Sequence, residues 1–249
     1  FFLIIRRPPT STQGVSPAAS DVYKRQVMIT DLAMDPATKV ADRLRAVPAP
    51  RPVMTRATER GLTERQRDLL DQLGDLFDEG FAHLTMADIA AHLNCSLRTL
   101  YGLAPSRDEL VLTVVDRNLW KVGRSAMGAV ETDMVPLEAI TTYLRAANVA
   151  VANTTEAFAR DLETVPAAQR LSDDHSAYLV AVTRCLLDMA VEQGDIDDVD
   201  TAALARVMAG VGRDFSRAEV VTTLRTSPKQ AADQALEVIL RGLTAPGGE

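Results

Sequence analysis

The stretch that decides the fold is LTMADIAAHLNCSLRTLYGLAPSRDEL, Leu84 to Leu110. It reads as a short helix, a tight turn, a second short helix, a proline break and the start of a long helix. Thr85 is placed to cap the first helix, because its hydroxyl can accept from a free backbone N–H about three residues on. Met86, Ile89, Ala90 and Leu93 recur at helical spacing and give that helix one apolar face. Asn94 tolerates the left-handed conformation that ends a helix. Ser96 is placed to cap the next helix, expected over Leu97 to Leu103. Two short helices joined by about three residues make a helix-turn-helix unit, whose second helix can enter a DNA major groove.

Working outward, Thr63 with Glu64 and Gln66 has the pattern of a capped start. Leu69, Leu70, Leu73, Leu76 and Phe77 then form a stripe that predicts a helix over Thr63 to Glu79. Gly80 stops it and Phe81 folds back as a plug. Downstream, Ser106 caps a helix running to about Val130. Further helices are expected over Pro136–Thr154, Glu156–Val165, Ser172–Gln193, Thr201–Gly212 and Pro228–Leu243. No strand-like alternation interrupts them, so the chain is expected to be all-α: a three-helix head followed by a helical domain.

Upstream, FFLIIRRPPTSTQGVSPAASDVYKRQ, residues 1–26, shows no period. It resembles the translated sequencing-adapter leaders that open proteins inferred from assembled reads; the alternative is a disordered natural tail. Met28, Met34 and Met54 are then candidate starts. Residues 28–45 are expected as a loose helix on Leu32, Val40 and Leu44, and AVPAPRPV, residues 46–53, as an extended linker. The expected organisation is 1–55 as leader and basic linker, largely disordered, 56–110 as the helix-turn-helix domain and 111–245 as the second helical domain.

Composition agrees with helix packed on helix: 47% of residues are hydrophobic and only 4% aromatic, a poor supply for sheets. Phe1 to Ile5 is too short to span a bilayer and precedes Arg6 and Arg7, unlike a signal peptide. Cys95 and Cys185 stand far apart without metal-type spacing, which points to a reducing, cytoplasmic setting. The net charge is −7, yet Lys39, Arg43, Arg45, Arg51, Arg56, Arg60, Arg65 and Arg67 face only Asp42, Glu59 and Glu64. That segment is expected to be a basic arm against phosphate, with Arg56 and Arg60 among its contacts.

The ordered set Gly80-Phe81, Thr85, Asp88-Ile89-Ala90, Ser96, Thr99-Leu100-Tyr101 and Pro105-Ser106-Arg107-Asp108-Glu109-Leu110 resembles the N-terminal domain of TetR-family transcriptional regulators. The resemblance spans about a fifth of the chain. Asn94, Cys95, Arg98 and Ala104 depart from the family pattern, and Arg98 with Leu97 leaves the operator sequence open. For base and backbone contacts the candidates are Thr85, Ser96, Leu97, Arg98, Thr99, Tyr101 and Gly102. Arg98 can pair bidentately with guanine. Tyr101 and Arg107 match the positions at which the family contacts phosphate.

The resemblance further implies a C2 homodimer on double-stranded DNA. Its expected apolar faces are Leu204, Val207 and Met208 with Ala235, Leu236, Ile239 and Leu243 of the last two helices. It also implies a small, largely apolar effector, for which Trp120, Met127, Tyr143, Phe158, Tyr178 and Met189 are candidate lining, and release of a repressor from a palindromic operator. Each of these side chains is more often plain core than lining. No cofactor, metal site, catalytic set or membrane partner is expected. DIDDVD, residues 195–200, lacks the glycine and closing glutamate of a calcium loop. His175 is expected at a surface helix start, and Cys95 as a packed thiol. Two rivals remain at this stage: a helical scaffold that has lost DNA binding, and a small helical enzyme working through Asp197, Asp198 or His175.

Overall fold

The computed structural model describes residues 40–152 and 154–244. The expectations for residues 1–26, Met28, Leu32 and Met34 lie outside them. Among the described residues every regular element is helical, and no helix is long and apolar enough to cross a membrane.

The elements are α1 Val40–Arg45, α2 Arg56–Gly61, α3 Glu64–Asp78, α4 Met86–His92, α5 Leu97–Tyr101, α6 Arg107–Ala129, α7 Pro136–Ala147, a 3-10 turn Asn148–Val151, α8 Glu156–Glu163, α9 Pro166–Gln193, α10 Thr201–Phe215, α11 Ala218–Val221 and α12 Pro228–Thr244. The polar residues read as caps do that work. Thr63 and Gln66 close a reciprocal capping box on α3, and Thr85 and Asp88 close one on α4. Ser96 and Ser106 cap α5 and α6.

Several boundaries differ from expectation, among them those of α5, α7 and α9. α5 ends at Tyr101. α7 ends at Ala147, where the Asn148 side chain turns to Asp233 Oδ1 at 2.9 Å and the chain tightens into the 3-10 turn. α9 starts at Pro166, six residues before Ser172, with proline in its first turn and Ala168 and Leu171 buried. Helices α2 and α11 were not expected.

Packing falls into two apolar cores. The first joins Leu62, Leu69, Leu70, Leu73, Phe77, Phe81, Ile89 and Leu100 to Leu110–Val115 of α6 and to Val165, Ala168 and Leu171 of the body. The second gathers Ala126 of α6 with α7, the C-terminal half of α9, α10 and α12. At about 1.5 Å per residue, the 23-residue α6 and 28-residue α9 run roughly 35 and 40 Å, long enough to serve both. The head's core is therefore not closed at Leu110; α6, α8 and α9 complete it.

Residues 40–54 hold the helix expected on Val40 and Leu44 and then irregular chain, packed on the body. Val40 and Leu44 of α1 are buried in the second core, and Arg43 pairs with Glu192 of α9. Arg45 pairs with Asp42. Of the basic arm, the body binds Arg43, whereas Arg45 and Arg51 are exposed.

Candidate nucleic-acid interface

The turn between α4 and α5 is a complete left-handed stop. Asn94 has φ 47°, its N–H donates to Ala91 O at 3.2 Å, and Cys95 N–H donates to Ala90 O at 3.0 Å. These two bonds satisfy the last carbonyls of α4 and reverse the chain. Ser96 Oγ then accepts from Thr99 N at 3.1 Å and lies 2.8 Å from Thr99 Oγ1.

Leu100 is fully buried and seats α5 on the first core. That orientation turns Leu97, Arg98, Tyr101 and Gly102 outward. Leu97 is 43% and Tyr101 53% exposed, so two large apolar side chains stand in solvent on a five-residue helix. Arg98 makes no hydrogen bond or ion pair among the described residues. Thr85, Ser96 and Thr99 are exposed or half-buried, but their hydroxyls are engaged in helix caps. The Thr85 hydroxyl and backbone N–H, by bonding Asp88, hold that carboxyl below its ordinary range.

Arg56 and Arg60 lie one turn apart on α2 and are exposed. Thr55 caps this helix, accepting from Thr58 N at 3.1 Å; a threonine four residues before Glu59 was the overlooked signal. Arg60 Nε reaches back to Arg56 O at 3.2 Å and Arg67 holds Arg60 O at 3.4 Å. Arg65 donates to Leu93 O at 3.3 Å, tying α3 to the end of α4.

Arg107 is not the free phosphate ligand that its position suggested. Its Nη1 donates to Ala82 O at 2.9 Å, and its Nε and Nη2 bond Asp108 Oδ1 at 3.1 and 3.0 Å. It clamps the loop after α3 to the start of α6. The same loop is gripped from the body: Asp161 Oδ2 of α8 accepts from both Phe81 N and Ala82 N, the latter at 2.7 Å. Thr155, capping α8, donates to Asp78 O. Gly80 sits between them at φ +101°, where a Cβ would come within 3.2 Å of Asp161 Oδ2 and 3.3 Å of Ala157 Cβ. Sequence reading had no access to this joint, since Asp161 lies 79 residues beyond Ala82.

The six expected effector-lining side chains do not converge. Tyr143 and Met189 are buried in the second core, with Met127 and Tyr178 packed on it. Phe158 belongs to the first core and meets Phe81 edge-on, ring centroids 6.0 Å apart. Tyr143 and Met189 thus serve as core, and Phe158 packs half-buried against the first core. Trp120 lies against His175 at 5.7 Å, and His175, expected at the surface, has a side chain only 12% exposed. Of the expected dimer face, Met208 and Leu236 fill their own core, whereas Val207 and, just beyond Leu236, Val238 are exposed.

No family model and no curated protein matches the chain. Solved structures do. A bacterial regulatory protein in the TetR family from Rhodococcus RHA1 is 19% identical, with 75% of this chain and 100% of that one covered at a TM-score of 0.58. The TetR-family transcriptional regulator PfmR from Thermus thermophilus is 21% identical, covering 70% and 98% at 0.53. A TetR transcription regulator from Haloarcula marismortui is 16% identical, covering 73% and 99% at 0.60. The chain has the all-helical TetR-family fold.

Proposed function

We propose that the chain is a DNA-binding transcriptional regulator that reads duplex DNA with α5. One observation carries this: α5 projects Leu97, Arg98 and Tyr101 from a completed helix-turn-helix with nothing of the described chain packed over them. Exposed large apolar side chains grouped on one element mark an interaction surface. An unpaired arginine beside them suits a guanine edge, and Tyr101 suits phosphate. Thr85, Ser96, Thr99 and Gly102 shape that face, Arg56 and Arg60 approach backbone phosphate, and Arg107 positions the loop.

The protein acts as a homodimer that pairs α10 and α12 with their symmetry mates, supported by the exposed Val207 and Val238. It is a cytoplasmic repressor, released from a palindromic operator when a small, largely apolar effector enters beside Trp120, Met127 and Tyr178. The effector shifts a population in which the two heads match successive major grooves toward one in which they do not.

Selection of duplexes from random DNA by the full chain, followed by titration of the recovered sequence, tests the reading. Arg98→Ala should lose about 1–3 kcal/mol, roughly five- to 150-fold, at one base position. Tyr101→Phe should weaken all sequences alike. Recovery of no sequence above background, or unchanged affinity of a folded Arg98→Ala variant, overturns it.

A further inference from the structure

Residues 40–54 reach the head by way of the body. At one end, Val40 and Leu44 are buried against the C-terminal half of α9, and Arg43 pairs with Glu192. Arg43, Ala46, Val47 and Pro48 line a groove together with Ala181 and Cys185 of that helix. At the other end, Val53 donates its backbone N–H to Asp116 Oδ2 of α6 at 2.8 Å, and Met54 packs on the first core. Between these anchors Pro48, Pro50 and Pro52 fix φ and favour extended chain.

Asp116 is the unusual member. It is 3% exposed, and a buried carboxylate needs donors to offset its lost hydration. Oδ2 has the Val53 N–H. Among the described residues Oδ1 has only His175 Nε2 at 3.4 Å, at the outer edge of a hydrogen bond. Trp120, one turn on along α6, leans edge-on against His175, and its Nε1 is the one buried side-chain N or O atom without a partner among the described residues. The Val53 N–H is thus the best donor that Asp116 has, and removing either partner leaves the other unsatisfied.

We propose that residues 40–54 form a strap that restrains the head against the body, with Asp116 as its latch. Immediately past the latch the chain enters α2, whose Arg56 and Arg60 are exposed, and Leu62, whose side chain enters the first core. The strap is therefore a further tie between body and head, besides the continuous α6, the Asp161 joint and the packing of α9 on the first core. A latched strap preorganises α2 and α3; an open one frees them to move. The strap stands on packing alone, and only its consequence for DNA rests on the proposed function.

The test uses the full chain with Asp116→Ala, Asp116→Asn and Arg43→Gln. Hydrogen exchange reads the Val53 amide, and mass-resolved maleimide labelling reads Cys185 beneath the other anchor, with Cys95 as the internal control. Asp116→Ala should speed Val53 exchange about tenfold or more and raise Cys185 labelling several-fold, with Cys95 unchanged. Asp116→Asn, which keeps an acceptor, should fall between. Arg43→Gln should speed Val53 exchange from the opposite end, and it serves if Asp116→Ala does not fold. Unchanged Val53 exchange removes the latch. Faster Val53 exchange with Cys185 labelled at the wild-type rate shows two separate anchors and no strap. On a duplex selected by the wild type, Asp116→Ala should bind about fivefold more weakly, since preorganisation is lost. Unchanged affinity with a loosened strap overturns the restraint and leaves DNA reading intact. A wild type that selects no duplex overturns DNA reading, while exchange and labelling still decide the strap.

Discussion

In the head, residues 56–110, each polar residue at a helix start closes a bond within three or four positions, and the large side chains left outside gather on α5. In the body, of the aromatic and sulfur-bearing residues that looked available for a ligand, Tyr143 and Met189 are buried in one core and Phe158 packs half-buried against the other. The difference is one of range. Head chemistry is written in local spacing and displayed on a surface. Body chemistry depends on which faces of long helices meet, and those faces are far apart in the chain. Yet the two regions are not independent, because α6, α8 and α9 complete the head's core.

That shared core gives the largest expected effect. Leu100→Ala empties a fully buried site and should lower stability by about 2–5 kcal/mol. If head and body form one cooperative unit, helicity and Trp120 emission should be lost in a single coincident transition; two separated transitions would break the coupling and restore a self-contained head.

The most exposed large apolar side chain among the described residues comes next. Val238, 68% exposed, changed to Asp should raise the dimer dissociation constant about a hundredfold or more by burying an unpaired charge on each side of the two-fold. Sedimentation reads this, and an unshifted monomer–dimer balance moves the interface elsewhere.

The joint between the regions is worth less. Asp161→Ala orphans the N–H groups of Phe81 and Ala82, and about 1–3 kcal/mol of stability should go with it. Asp161→Asn should recover part, and calorimetry distinguishes the two.

The smallest effect lies inside the head. Asp88 is held below the ordinary carboxylate range by Thr85. A carboxyl depressed in the folded state contributes stability above its unfolded value near about 3.9 and loses it as pH falls through the folded value. An NMR titration should place Asp88 below an ordinary aspartate, and Thr85→Ala, which keeps the backbone N–H, should move it part of the way back. An unmoved midpoint would detach the α4 cap from its electrostatics.

Much of the fold was legible in the sequence. Thr63, Thr85, Ser96 and Ser106 each announced a helix start, and Asn94 announced the turn that only a tolerant residue makes without strain. The periodic stripe of α3 named its buried face. What escaped was short or distant. The six-residue α2 and four-residue α11 have too few turns to show a period. The early start of α9 at Pro166 was missed because its first buried residues answer to the head. Arg107 looked like a phosphate ligand until Ala82 O was beside it.

By itself, then, the sequence determined local geometry: caps, turns, helical faces and the outward set on α5. These are settled by interactions a few residues long, which spacing displays directly. Only the tertiary structure decided that Asp161 grips the loop after Gly80, that Asp116 meets the Val53 amide, and that Arg43 serves the body instead of the DNA arm. Those pairings join residues 63 to 149 positions apart. A buried group finds whatever donor the packing brings to it, and no local pattern encodes that partner.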